Sequence, residues 1–154
     1  MKVIFLDVDG VLNSHEYVVN TKEHGLIGTY DDFVVRLAKV VKETGAKIVM
    51  SSCWRSGFLD GKNDHYETHI TQRFFKHGIE VYDITPYVKM IRGLEIKEWL
   101  SKHNQIERYV IIDDEIFDIK NHFSSDVIVK TSFQEGLQDK HVERAIKILK
   151  GEEA

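Results

Sequence analysis

Val3-Ile4-Phe5-Leu6-Asp7-Val8-Asp9-Gly10-Val11-Leu12 is the stretch whose reading decides the fold. Four apolar residues run without alternation into an acid, the pattern of a strand covered on both faces of a sheet. The Asp-x-Asp-Gly that follows has turn composition, so a buried strand delivers two carboxylates to its own carboxyl end. With Lys2 to Leu6 as the first, further runs at Ala46 to Met50, Ile79 to Tyr82, Tyr109 to Ile112 and Asp126 to Val129 predict five strands. Helical stripes lie between and after them. Phe33, Val34, Leu37, Val40 and Val41 share one face that ends at Gly45. Similar stripes occur at Ile70, Phe74 and Phe75, at Ile96, Trp99, Leu100 and His103, and at Val142, Ala145, Ile146 and Leu149. The alternation predicts an α/β fold, a three-layer, Rossmann-like open sheet of about five parallel strands. Residues 12–30 lack periodicity and read as a short flap, with no large cap domain, and nothing divides residues 1–154 into more than a single domain.

Composition bounds the function. One Pro, ten Gly and the single Cys53 exclude collagen-like, Pro-rich and disulfide-stapled chains. The formal net charge of −4 gives no global attraction to nucleic acid or anionic lipid, so any polyanion must be held locally. No basic stripe is visible from spacing. The apolar runs fall well short of the roughly 20 residues that span a bilayer, and Lys2 with four apolar residues before Asp7 is no signal peptide. The expected location is cytoplasmic, with no membrane partner.

Ligands of open α/β sheets bind beyond the carboxyl ends of the strands. Those positions hold Asp7-Val8-Asp9-Gly10 after the first strand, Ser51-Ser52-Cys53-Trp54-Arg55 after the second and Asp113-Asp114 after the fourth. Parallel strands would gather these carboxylates, hydroxyls and the guanidinium on one rim. Two like charges about 4 Å apart repel by roughly 4 kcal/mol at an effective dielectric near 20, so the cluster calls for a cation. Hard oxygen donors favour Mg²⁺, which also accepts a substrate phosphate oxygen.

These residues resemble the haloacid-dehalogenase-like (HAD) hydrolase superfamily in its phosphatase branch. Its first motif matches Val3 to Leu12, its second Ile48-Val49-Met50-Ser51, and its fourth Val110-Ile111-Ile112-Asp113-Asp114, with Asp118 beyond. Arg92 in Arg92-Gly93-Leu94-Glu95-Ile96 fits the third best, where Lys is usual, and Lys89 or Lys97 could take that role instead. Val11 stands where many family phosphatases carry Thr. The resemblance implies a Mg²⁺-dependent phosphomonoesterase in which Asp7 attacks phosphorus to give a phosphoaspartate. Asp9 would protonate the leaving group and then activate water. Asp7 and Asp114 would bind Mg²⁺ by side chain and Asp9 by its carbonyl, with Asp113 adjacent or ligating. Ser51, Ser52, Arg55 and Arg92 would hold the phosphoryl group or leaving group. A second resemblance rests on Ser51-Ser52-Cys53-Trp54-Arg55, Arg92-Gly93, Glu95-Ile96, Trp99-Leu100 and Ile112-Asp113-Asp114-Glu115. It is to small stand-alone HAD domains associated with RNA repair, and implies a nucleotide or polynucleotide end as substrate beside phosphorylated small molecules.

Asp7-Val8-Asp9 fails as a calcium loop, because Val11, Leu12 and Val18 fall at its fifth, sixth and twelfth positions. Gly57 to Lys62 is one residue too short between its glycines for a phosphate loop. His65 and His69 are spaced for zinc but lack a third ligand, and read as a solvated helix face. Cys53 reads as a buried thiol, Trp99 and Phe74-Phe75 as core, and Arg55 as a site contact ahead of a surface ion pair. A receiver-like phosphoacceptor with Asp83 as acceptor and Lys130 after the fifth strand is an alternative, as is a catalytically idle phosphate-binding domain.

Overall fold

The computed structural model describes residues 1–17, 29–61 and 65–153, with the backbone alone for residues 59–61 and 65–68. Most of the expected flap, residues 18–28, and the end of the Gly57 to Lys62 stretch lie outside them. Strands β1 (Lys2–Leu6), β2 (Lys47–Met50), β3 (Val81–Ile84), β4 (Arg108–Asp113) and β5 (Ile128–Lys130) form one sheet in the order β3-β2-β1-β4-β5. Every pairing is parallel. Helices α1 (Asp31–Thr44), α2 (His65–Lys76), α3 (Arg92–Ser101) and α4 (Asp139–Lys150) provide the outer layers. Among the described residues no helix is long and apolar enough to cross a membrane.

The sheet separates two cores because side chains alternate along each strand. Ile4 and Leu6 face the core containing Leu37 of α1, Phe74 of α2 and Leu149 of α4. Val3 and Phe5 face the smaller one with Ile96 and Trp99 of α3. Helix α1 ends at Gly45, which takes the left-handed conformation (φ 70°) and returns its N–H to Val41, as its apolar stripe predicts.

Two strands are displaced from their predicted bounds. β3 begins at Val81 instead of Ile79, and the register slips between Ile48 and Val49, leaving Tyr82 as an extra residue. β5 is short, because Asp126 lies in a 3-10 turn (Ser125–Val127) whose preceding Ser124 hydroxyl accepts the Asp126 N–H. Phe75 is a correction: it is 83% exposed while Phe74 is fully buried, since adjacent helical residues point about 100° apart. His103 lies beyond α3 and stacks on Trp99 at 3.7 Å. Phe74→Ala should therefore cost about 3–5 kcal/mol and Phe75→Ala at most about 0.5 kcal/mol, measured by urea denaturation.

Candidate functional site

The ladder continues one residue past the strands. Asp7 N–H donates to Ile112 O (3.0 Å), Ser51 N–H to Leu6 O (2.9 Å), Thr85 N–H to Met50 O (3.0 Å) and Thr131 N–H to Asp113 O (3.1 Å). Thr85, Ser51, Asp7, Asp113 and Thr131 thus stand in one buried row at the carboxyl edge, about 4.8 Å apart from strand to strand. Asp7 follows Phe5 in the side-chain alternation and Asp113 follows Ile111, so both face the α3 side. β1 and β4 are also where the direction of winding reverses, the crevice in which open sheets bind ligands.

Helix α3 meets this row with its first residue. Arg92 Nη1 lies 2.5 Å from Asp113 Oδ2 and 3.2 Å from Asp7 Oδ1. Its backbone N–H donates to Asp118 Oδ2 (3.0 Å), so a carboxylate from outside the helix satisfies its first turn. Lys89 and Met90, just before the helix, both have positive φ (54° and 58°), a conformation unusual for residues other than glycine. Lys89 and Lys97 are exposed, and Arg92 is the cation that contacts the acids.

Asp9 accepts hydrogen bonds from Asn13 Nδ2 on Oδ1 (3.0 Å) and from Trp54 Nε1 on Oδ2 (3.2 Å). Neither donor is assigned a role by the sequence reading, although Trp54 lies within the quoted Ser51 to Arg55 run. Asn13 Oδ1 also accepts the Gly10 N–H (2.9 Å), tying the turn together. Gly10 has φ 79°, and a Cβ there would collide with the Asp114 carboxylate. Its carbonyl accepts the Thr131 hydroxyl (2.7 Å), another contact invisible at a separation of 121 residues.

Ser51 Oγ is fully buried with no partner among the described residues, and an unpaired buried hydroxyl is costly unless a ligand bonds it. Ser52 Oγ accepts the Trp54 N–H (3.1 Å). Arg55 is not a surface ion pair, and it lines the cleft beside Arg92. Its guanidinium is buried, 2.7 Å from Glu95 Oε2, and donates to the carbonyls of Ser51 and Ser52 (both 3.0 Å) with Tyr87 stacked on it. It braces the loop that carries the serines. Cys53 is exposed, not buried, because the 3-10 segment (Cys53–Gly61) turns Trp54 and Arg55 inward and leaves Cys53 outside. It lines a small cleft with Arg92, Glu95 and Asp118. His69 Nε2 accepts the Thr29 N–H (2.8 Å), while the side chain of His65 lies outside the described residues.

Asp7, Asp113 and Asp114 each offer a carboxylate oxygen within 4.8 Å of the others. Burial, a hydrogen bond with Asp7 and the Asp7 charge push Asp114 up to about 6. Burial and the Asp7 charge likewise raise Asp113 well above the usual carboxylate range, against the pull of Arg92. Burial works against charge on Arg92, but Asp113 and Asp7 outweigh it and hold the guanidinium proton more tightly than usual. The donor set is all hard oxygen with surplus negative charge, which fits Mg²⁺.

The receiver-like alternative fails on topology. It needs β3 beside β1, whereas β1 pairs with β2 and β4, and Asp83 Oδ2 accepts the Trp99 indole N–H (2.8 Å). The model of the family described as "HAD domain in Swiss Army Knife RNA repair proteins" matches residues 3–142. No curated protein and no solved structure gives a significant match.

Two stability experiments follow from this geometry. Folding raises the Asp114 pKa, so stability from this group is full below about pH 4 and is lost as pH rises through about 6. Without divalent cation at pH 7.5, Asp114→Asn should raise Tm by about 2–6 °C, for about 1–2 kcal/mol after solvent screening. Adding Mg²⁺ should raise the wild-type Tm more than that of the variant. Arg55→Met strands a buried Glu95 and should cost about 3–5 kcal/mol, part of which Arg55→Met/Glu95→Leu recovers in chemical denaturation.

Proposed function

The chain belongs to the family of HAD domains in Swiss Army Knife RNA repair proteins, and from that premise we propose that it is a Mg²⁺-dependent phosphomonoesterase acting through a phosphoaspartate. The observation that carries the reading is the meeting of Asp7, Asp113 and Asp114 with Arg92 beside the Ser51 hydroxyl, which has no partner among the described residues. Carboxylates alone would repel a phosphate. Here they are joined by a guanidinium and a buried hydroxyl on the same rim, the pairing that phosphoryl transfer needs.

In this reading the Ser51 hydroxyl and Arg92 hold the non-bridging oxygens, and Ser52 and Arg55 contribute through the loop they fix. Asp113 has both oxygens engaged, by Arg92 and by the Glu115 N–H (3.0 Å), so it orients the guanidinium. An Asp7 oxygen attacks phosphorus, the bond to the leaving oxygen breaks, and Asp9 gives that oxygen its proton. Asp9 then takes a proton from the water that attacks the acyl phosphate, releasing inorganic phosphate and restoring the Asp7 carboxylate. Trp54 and Asn13 keep Asp9 in place through both steps. Asp7 and Asp114, with the Asp9 carbonyl, would hold Mg²⁺, which when bound draws negative charge from the phosphoryl oxygens. The family description supports an RNA end as the substrate, so a polynucleotide phosphate is the preferred organic phosphate. The single domain spans residues 1–154 in this proposal, with residues 12–30 as its flap.

Phosphate release from an aryl phosphate and from 3′- and 5′-phosphorylated oligonucleotides tests this. Asp7→Asn should reduce turnover by more than about 10³-fold with the fold intact, and EDTA should abolish wild-type activity until Mg²⁺ is restored. Unchanged rates in either arm would remove the mechanism. Beryllofluoride should attach to Asp7, and attachment elsewhere would contradict its role.

A further inference from the structure

The net charge of −4 leaves a polyanion dependent on a local track, and one runs beside the acid cluster. β5 is an edge strand, and along it lies a groove of about 630 Å³ lined by Lys120, Phe123, Lys130, His141 and Arg144 among others, with no Asp or Glu in its lining among the described residues. Lys120, Lys130 and Arg144 have no carboxylate partner among the described residues. Lys130 Nζ lies 3.4 Å from Thr131 O, Arg144 donates to the carbonyls of Ile128 and Ser125, and Lys120 sits over the Phe117 ring. His141 accepts the Gln138 N–H and is held below its usual pKa by burial and by Lys140 and Lys130, so the charge comes from the other three. Glu135 pairs with Lys140 while its charge also reaches His141, and Arg144 also lines a second cavity that holds Asp126, Glu107, Glu152 and Glu153.

The groove begins one strand spacing from the acid cluster. Lys130 is the register partner of Asp113, one strand spacing away, and the next residue, Thr131, holds the Gly10 carbonyl. Phe117, three residues after Asp114, is 76% exposed, and its ring centroid lies 5.1 Å from Nζ of Lys120 in the groove. An exposed aromatic followed by aligned cations is the combination that takes single-stranded nucleic acid, base on ring and phosphates on the cations.

We infer that the β5 groove binds the single strand of an RNA whose phosphorylated end lies at Asp7, with a base near that end stacked on Phe117. The substrate assignment rests on the phosphatase reading above; the groove itself does not. Lys120, Lys130 and Arg144 are scattered over 25 residues of chain, and the sheet edge brings them into one lining.

Two measurements separate the claims. In the first, fluorescence anisotropy follows an unphosphorylated, fluorescein-labelled single-stranded RNA of ten nucleotides binding to wild type, to Lys120→Ala/Lys130→Ala and to Phe117→Ala. The double variant should bind about 10-fold more weakly, with the slope of log K against log salt reduced by about 1.4. Phe117→Ala should weaken binding without changing that slope. In the second, kcat/KM is compared for an aryl phosphate and for phosphorylated RNAs of two and ten nucleotides. Wild type should prefer the longer RNA, and the double variant should lose that preference while turning over the aryl phosphate, which ends short of the groove. RNA binding that is absent in wild type, unaltered in the double variant, or displaced equally well by polyglutamate overturns the inference. Groove-dependent RNA binding without turnover of any phosphate sustains the groove and overturns the phosphatase reading instead.

Discussion

Everything at this end of the molecule depends on one guanidinium balancing several carboxylates. The parallel ladder carries Asp7 and Asp113 to adjacent tips and turns both toward α3. At that spacing their mutual repulsion is several kcal/mol, and Arg92 answers it by touching both. The compensation is partial, because the carboxyls of Asp113 and Asp114 still resist ionisation. In the proposed function a divalent ion and a phosphate would answer that imbalance together, the ion taking up surplus negative charge and the phosphate engaging Ser51 and Arg92.

Holding Arg92 in place takes more structure than the residue itself. Asp118 satisfies the first N–H of α3, and two residues in the left-handed region lead the chain into it. One turn further, Glu95 is buried against Arg55, which grips the carbonyls of Ser51 and Ser52. Glu95 Oε2 also accepts the Val88 N–H (3.0 Å) from the segment before the helix. One buried ion pair thus couples the loop after β2 to the helix bearing the cation, so Ser51 and Arg92 share a support. Burying such a pair gains little stability by itself; here it fixes geometry.

The parts of this arrangement that were legible in sequence are those encoded by short local patterns. β1 matches its predicted bounds because four apolar residues meet an acid abruptly. β3 and β5 were displaced because a bulge and a 3-10 turn are set by neighbouring strands and caps, which hydrophobic runs do not record. The acids and Ser51 could be listed in advance since each ends a strand. Asn13 and Trp54 could not be tied to Asp9, because one bond closes a turn and the other spans 45 residues. The buried pairing of Arg55 was invisible for a related reason: its partner, Glu95, lies 40 residues on, and an arginine next to a strand end looks the same whether it faces a ligand or a buried acid. Phe75 and Cys53 show the limit of composition, which registers an apolar residue without its direction.

The outward turn of Cys53 has a practical consequence. It is the chain's single sulfhydryl, it is accessible, and it borders the same cleft as Arg92. A maleimide dye would attach at one known point without any engineered residue, close enough to the guanidinium for its emission to register what occupies the cleft. The native polypeptide thus carries its own attachment point for an optical reporter.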